Sequence, residues 1–144
     1  LPYEEALRVY APQIVLCAWM PENTDFTAAW RGPGSSVREY ILIGPPDSGL
    51  NGLPWETWGN GAMDLGLSGS ELAGLNEQDP KTKTLRSFQE GYNAARRGEV
   101  PPFVVDGYER HRLDAISNVQ IGRRDCSPDA CGTFETISFR RKDK

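Results

Sequence analysis

Runs of apolar residues along the chain predict the strands. The segment 13–20 is almost wholly apolar, which is typical of a central strand covered on both faces. Residues 37–43 form a second run that ends at a Gly/Pro cluster. Residues 133–139 also predict a strand, in which apolar and polar residues are not cleanly sorted between the two faces. Two shorter runs are rich in β-branched residues and also predict strands, over 103–105 and 116–121.

Apolar residues at three- and four-residue spacing predict the helices. A short helix is predicted over residues 3–10, where Pro12 follows and ends it. Asp25 can cap a further helical turn. A glycine-interrupted helix is predicted over 62–75 and a firmer one over 81–97. The firmer helix rests on the spacing of Leu85, Phe88 and Tyr92.

This order of elements predicts an α+β fold, in which a central, mostly antiparallel sheet is packed by two or three helices. We expect one globular domain over residues 1–144, because a chain of this length buries roughly two-thirds of its unfolded surface. Hydrophobic residues make up 38% and charged residues 25% of the sequence, as in ordinary globular proteins. No apolar run approaches the ~20 residues of a membrane helix, so no membrane association is predicted.

The charges are unevenly distributed along an acidic chain of formal net charge −4. Residues 1–90 hold 6 Lys/Arg against 12 Asp/Glu, whereas residues 91–144 hold 10 against 8. An acidic protein is a poor non-specific binder of nucleic acid. The late basic cluster, Arg123–Arg124 with Arg140–Lys142, is interpreted as a solvated strand face and tail. The alternative is that it contacts a phosphate or an acidic partner.

Cys126 and Cys131 flank a Ser-Pro-Asp-Ala turn that can bring two thiols together. A disulfide between them is one interpretation and would indicate a secreted or periplasmic protein. Two unpaired thiols, and hence a cytoplasmic protein, are the other. Zinc needs about four ligands, but the chain offers only one further cysteine and one histidine. The sequence therefore predicts no metal site, and it contains no motif for a cofactor.

The stretch Gly44–Gly61 is a long loop rich in Gly and Pro. Such loops in compact domains are either functional or packed down by their own side chains. Trp55 and Trp58 lie in it, with Glu56 and Asn60 beside them. Tryptophan is favoured at recognition surfaces, so these four residues are predicted to bind a partner, with the two tryptophans exposed. The alternative is that the two rings only fix the loop to the core.

A second candidate site is the segment Glu109, Arg110, His111 and Arg112, which places the single histidine between two guanidinium groups. Glu109 or His111 can move protons and the arginines can hold a phosphate, as metal-independent phosphodiester cleavage requires. In a strand, however, the two proton-moving groups point to one face and the two arginines to the other. The site then needs cations from elsewhere, for which we consider Arg96, Arg97 and Arg123.

The two candidate sites lead to different functions. We expect a non-enzymatic protein-recognition domain that uses the Trp/Gly/Pro-rich loop, because catalysis usually needs two or three convergent titratable groups. The alternative is a small metal-independent nuclease or toxin-type hydrolase centred on residues 109–112. The expected partner is another protein, and a nucleic acid is a partner only under the alternative.

Overall fold

The computed structural model describes residues 1–120 and 133–143. Four strands form one mixed sheet in the order β1-β2-β4-β3. The first two strands are parallel, and β4 is antiparallel to both of its neighbours. The predicted α+β fold with a mostly antiparallel sheet is therefore confirmed. The strands are β1 (Ile14–Ala18), β2 (Glu39–Gly44), β3 (Tyr108–Arg112) and β4 (Glu135–Arg141).

Seven helices occur in the ranges 1–120 and 133–143. The predicted helices over 3–10 and 81–97 are confirmed, but the one over 62–75 shortens to five residues. It begins late because Ser68 and Glu71 form a capping box there. No helix in these ranges is both long enough and apolar enough to cross a membrane. The helices are α1 (Tyr3–Tyr10), α2 (Thr27–Arg31), α3 (Pro54–Trp58), α4 (Gly69–Ala73), α5 (Thr82–Arg96), α6 (Pro102–Val105) and α7 (Asp114–Ser117).

One face of the sheet forms the hydrophobic core. The ring of Tyr40 on β2 is stacked on Phe139 of β4 with centroids 4.7 Å apart, and Tyr108 of β3 lies against Tyr40 at 5.4 Å. The Tyr108 hydroxyl donates a 2.7 Å hydrogen bond to the Val37 carbonyl, so this buried polar group is satisfied. The helices cover this core face with further buried side chains, among them Trp30, Trp58 and Phe103.

The other face of the sheet, here called the outer face, carries the residues that alternate with the core residues. Cross-strand neighbours share a face, and the register places Ile14, Glu39, Arg140 and Glu109 in one row across it. The next row contains Leu16, Ile41, Ser138 and His111. The outer face is thus apolar at β1 and charged at β3.

The expectation that the first apolar run is a central strand is wrong, because β1 lies at an edge of the sheet. Its side chains at Ile14 and Leu16 are 60% and 65% exposed. Apolar composition predicts a strand, but it does not say how many strands will pair with it. The position of β1 is fixed by parallel pairing with β2, which no local pattern encodes.

The segment predicted as a strand over 103–105 is helical, and the one predicted over 116–121 begins with the last two residues of a helix and contains no strand at 116–120. Residues 102–105 form α6, because Pro102 occupies the first helical position, where its fixed φ is favourable and its missing N–H is not needed. Residues 114–117 form α7, which has an acidic residue, Asp114, in its first turn. β-branched content alone therefore gave the wrong secondary structure where the ends of the segment favoured a helix.

Candidate functional site

The Gly44–Gly61 loop is folded down onto the protein and contains α3. The Trp58 side chain is only 2% exposed, and its indole Nε1 donates a 2.7 Å hydrogen bond to the Asn51 carbonyl. Trp58 belongs to the hydrophobic core cluster. The expected exposure of both tryptophans is therefore wrong for Trp58, whose ring fixes the loop to the core.

Trp55, one helical turn before Trp58 on α3, packs against Gly91 of α5 and is partly exposed. Its backbone N–H donates a 2.9 Å hydrogen bond to the Ser87 hydroxyl. A Cβ atom built on Gly91 would come within 2.7 Å of the Trp55 Cβ atom, so the close approach of α3 to α5 requires glycine at this position. The tryptophan is thus held in one place by its backbone and by α5.

A groove of about 280 Å³ runs beside this ring. Trp55 and Ala94 line it together with charged and polar groups from the end of α5 and the residues that follow. Among these groups, the side chains of Arg97 and Glu99 form an ion pair at 2.6 Å. Aromatic residues are enriched at recognition surfaces, which polar groups surround. The remaining lining residues are Glu90 and Asn93.

The other two predicted binding residues, Glu56 and Asn60, do not line this groove. Glu56 is partly buried, its carboxylate accepts a hydrogen bond from the Ser87 hydroxyl, and burial raises its pKa. The amide nitrogen of Asn60 donates a 2.7 Å hydrogen bond to Asp47. Glu56 and Trp55 are thus both tied to Ser87, whereas Asn60 holds the loop near Arg110, with which it lines a separate small cavity.

The segment 109–112 forms β3, and its side chains divide between the two faces of the sheet as strand alternation requires. Arg112 makes a 2.7 Å ion pair with Glu135 and a further ion pair with Asp114. Arg110 lies 3.8 Å from the same Glu135 carboxylate. The two arginines are therefore paired with β4 on the core side, away from the histidine.

His111 and Glu109 lie on the outer face, where groups from β4 and β2 join them. The imidazole Nε2 is 3.7 Å from the Glu109 carboxylate, which also pairs with Lys142 at 3.0 Å. Arg140 lies opposite Glu109 in the register, and its Nε is 3.1 Å from the Glu39 carboxylate. The outer-face cluster thus comprises Glu39, Glu109, His111, Arg140 and Lys142.

The cations of this cluster are not the ones that the sequence suggested. Arg96 lies against Tyr92 on α5 and Arg97 pairs with Glu99, while Arg123 falls outside the described residues. Arg140 and Lys142 were interpreted from the sequence as a solvated face and tail and were not assigned to this site, although their two-residue spacing indicates a shared strand face.

Glu39, on β2, is the member of the cluster whose ionised form is stabilised. Its carboxylate accepts a 2.5 Å hydrogen bond from the buried Ser138 hydroxyl. This bond, together with Arg140, lowers the pKa of Glu39, against the effect of partial burial. Glu39 therefore supplies a negative charge that pairs with Arg140.

The predicted disulfide residues, Cys126 and Cys131, lie outside the described residues. Cys17 on β1 is half-buried with a free thiol, and burial raises its pKa. Within residues 1–120 and 133–143, no group of three or more His, Cys, Asp or Glu side chains is arranged to hold a metal ion.

Comparison with known proteins identifies no relative of this chain. No protein-family description, curated protein or solved structure matches the chain.

Proposed function

We propose that this protein is a non-enzymatic recognition domain that binds another protein through the groove beside Trp55. The observation that carries the proposal is a large aromatic side chain on α3 that is partly exposed and yet closely packed against Gly91 of α5. Aromatic anchors dominate the binding energy of protein interfaces. A ring that is already fixed loses little conformational entropy on binding.

The polar groups that line the groove give the proposal its specificity. Glu90 and Glu99 provide acceptors, Arg97 provides donors, and the Asn93 amide can do both. Such a lining selects a segment that carries an apolar side chain flanked by polar or charged groups. Trp58 and Asn60 support this surface indirectly, because they hold the loop in its packed conformation.

Replacement of Trp55 by alanine tests the groove. Peptides selected from a phage-displayed random library on the wild-type protein are expected to bind Trp55→Ala at least about thirtyfold more weakly, since an interface anchor contributes roughly 2 kcal/mol or more. Binding is measured by fluorescence polarisation of the labelled peptides.

Two further variants make this result interpretable. Asn93→Arg fills the groove without removing the ring and is expected to weaken the same peptides. Tyr10→Ala removes an aromatic side chain that is 73% exposed on α1, outside the groove, and should leave binding unchanged. Failure to select any peptide, or equal binding by all four proteins, contradicts the proposal.

A second candidate function, metal-independent RNA cleavage, is supported by the outer-face cluster. Glu109 and His111 share that face with Arg140 and Lys142, and all four side chains are about half exposed. The Glu109 carboxylate would take the proton of a ribose 2′-hydroxyl, whose oxygen then attacks the phosphorus. As the bond from phosphorus to the 5′-oxygen breaks, protonated His111 would give its proton to that oxygen, leaving a 2′,3′-cyclic phosphate.

Cleavage of a fluorophore-labelled oligoribonucleotide in the presence of EDTA tests this second candidate. If it holds, His111→Ala and Glu109→Gln each lower the cleavage rate by about 100-fold or more, and the corresponding oligodeoxyribonucleotide stays intact. Glu4→Gln, an exposed carboxylate on α1, is the control and keeps the wild-type rate. Absence of cleavage by the wild type, or an unchanged rate in His111→Ala, rejects this function.

A further inference from the structure

The two edges of the sheet differ in a way that bears on association. The β3 edge carries Glu109, Arg110, His111 and Arg112 in succession, and charged side chains are a common means of preventing edge strands from pairing with other chains. The β1 edge, Ile14–Ala18, carries no charge at all. It therefore lacks the protection that the opposite edge has.

The backbone of β1 is suitable for pairing on its outward side. Gln13 accepts a hydrogen bond from Glu39 N–H at 3.1 Å, and Trp19 N–H donates to Ile43 at 3.0 Å. Because bonding alternates along a strand, the odd-numbered residues pair with β2. The N–H and C=O groups of three residues then point away from the sheet: Ile14, Leu16 and Ala18.

The side chains of these same three residues are exposed on the outer face. Exposed aliphatic side chains and outward backbone groups thus occur together on one five-residue strand. A strand that pairs with β1 would satisfy the backbone groups and cover Ile14 and Leu16 in the same step.

We propose that β1 pairs antiparallel with β1 of a second copy of this chain, about a two-fold axis at Leu16. In this register Leu16 lies opposite Leu16 of the other copy, and Ile14 lies opposite its Ala18. The pairing forms about six interchain hydrogen bonds from the outward backbone groups. It joins the two four-stranded sheets into one continuous sheet.

A second copy is favoured over other occupants because the edge is complementary to itself. No charge is brought opposite a like charge, and the two leucines extend the apolar row that begins at Ile41. The joined sheet ends on both sides in a charged β3 strand, so the assembly closes as a dimer instead of growing. Five residues per copy bury less than the roughly 1,200 Å² of a standard interface, so a dissociation constant in the micromolar range is expected.

Sedimentation velocity over protein concentrations from about 1 µM to about 300 µM tests the proposal. The wild type is expected to shift from monomer to dimer over this range. Leu16→Lys should remain monomeric, because two ammonium groups then face each other across the axis. An equimolar mixture of Leu16→Lys and Leu16→Glu should dimerise again, since opposite charges now face each other.

Val105→Lys is the matched control, because Val105 is an aliphatic side chain that is 72% exposed far along the chain on α6. It should dimerise like the wild type. A wild type that stays monomeric throughout, or Leu16→Lys that dimerises normally, overturns the proposal. This test can fail or succeed separately from the test of the groove beside Trp55, because Trp55→Ala should leave self-association unchanged.

Discussion

Trp58→Ala is expected to destabilise the protein by about 3–5 kcal/mol, the usual cost of truncating a large buried aromatic side chain. The ring is 2% exposed within the core cluster, so its removal leaves a cavity that neighbouring side chains fill only in part. The Asn51 carbonyl also loses the indole N–H that it accepts from. For a chain of this size the loss corresponds to a fall in Tm of roughly 10–20 °C.

Urea denaturation followed by circular dichroism measures this loss, and Trp55→Ala is the comparison. The two tryptophans belong to the same five-residue helix, but only Trp55 is partly exposed. Its truncation should therefore cost less free energy of unfolding than that of Trp58. Equal losses in the two variants would show that the distinction between a core tryptophan and a recognition tryptophan is wrong.

Arg31→Met is expected to reduce the free energy of unfolding by about 2–4 kcal/mol, because it removes one partner of a buried charged network. The Arg31 side chain is 3% exposed and pairs through Nε with Asp106 at 2.8 Å. Its Nη1 donates to the Thr27 and Tyr40 hydroxyls. The pair joins the end of α2 to the turn between α6 and β3, so its loss loosens contacts far apart in sequence.

Arg38→Met provides the control for this second variant. Arg38 pairs with Asp143 at 2.7 Å, but the two side chains are 57% and 89% exposed, so the change should cost less than about 1 kcal/mol. A double-mutant cycle of Arg31→Met with Asp106→Asn then isolates the pair itself. A loss for Arg31→Met no larger than that for Arg38→Met would contradict the assignment of a buried network.

For the segment 109–112, the sequence predicted the kind of chemistry that the side chains can perform, but not which other residues lie beside them. The composition of residues 109–112 indicated proton transfer and phosphate binding, and strand alternation indicated that Glu109 and His111 share a face. The identity of the cations beside them depended on which strand pairs with β3. Arg140 and Lys142 are distant in sequence and come beside Glu109 only through the antiparallel pairing of β3 with β4.

The burial of the two tryptophans in the loop Gly44–Gly61 was likewise not predictable from the sequence. The sequence indicated that a Gly/Pro-rich segment with two tryptophans is important to the protein, but it gave both rings the same expected exposure. Residues 55 and 58 are one helical turn apart on α3, and yet one lies in the core and the other against α5. Local spacing cannot tell which neighbours a short helix will have.

The sequence by itself determined the α+β class, the helices α1 and α5, and the presence of the strands β1, β2 and β4, because each depends on local periodicity and on residues at its ends. Only the tertiary structure decided that β1 lies at an edge and that Trp58 is core. It also decided that Arg140 and Lys142 lie beside Glu109. These features depend on which segments pair across long separations in the chain, where hydrophobic burial and backbone hydrogen bonding are satisfied together and no local pattern specifies the partner.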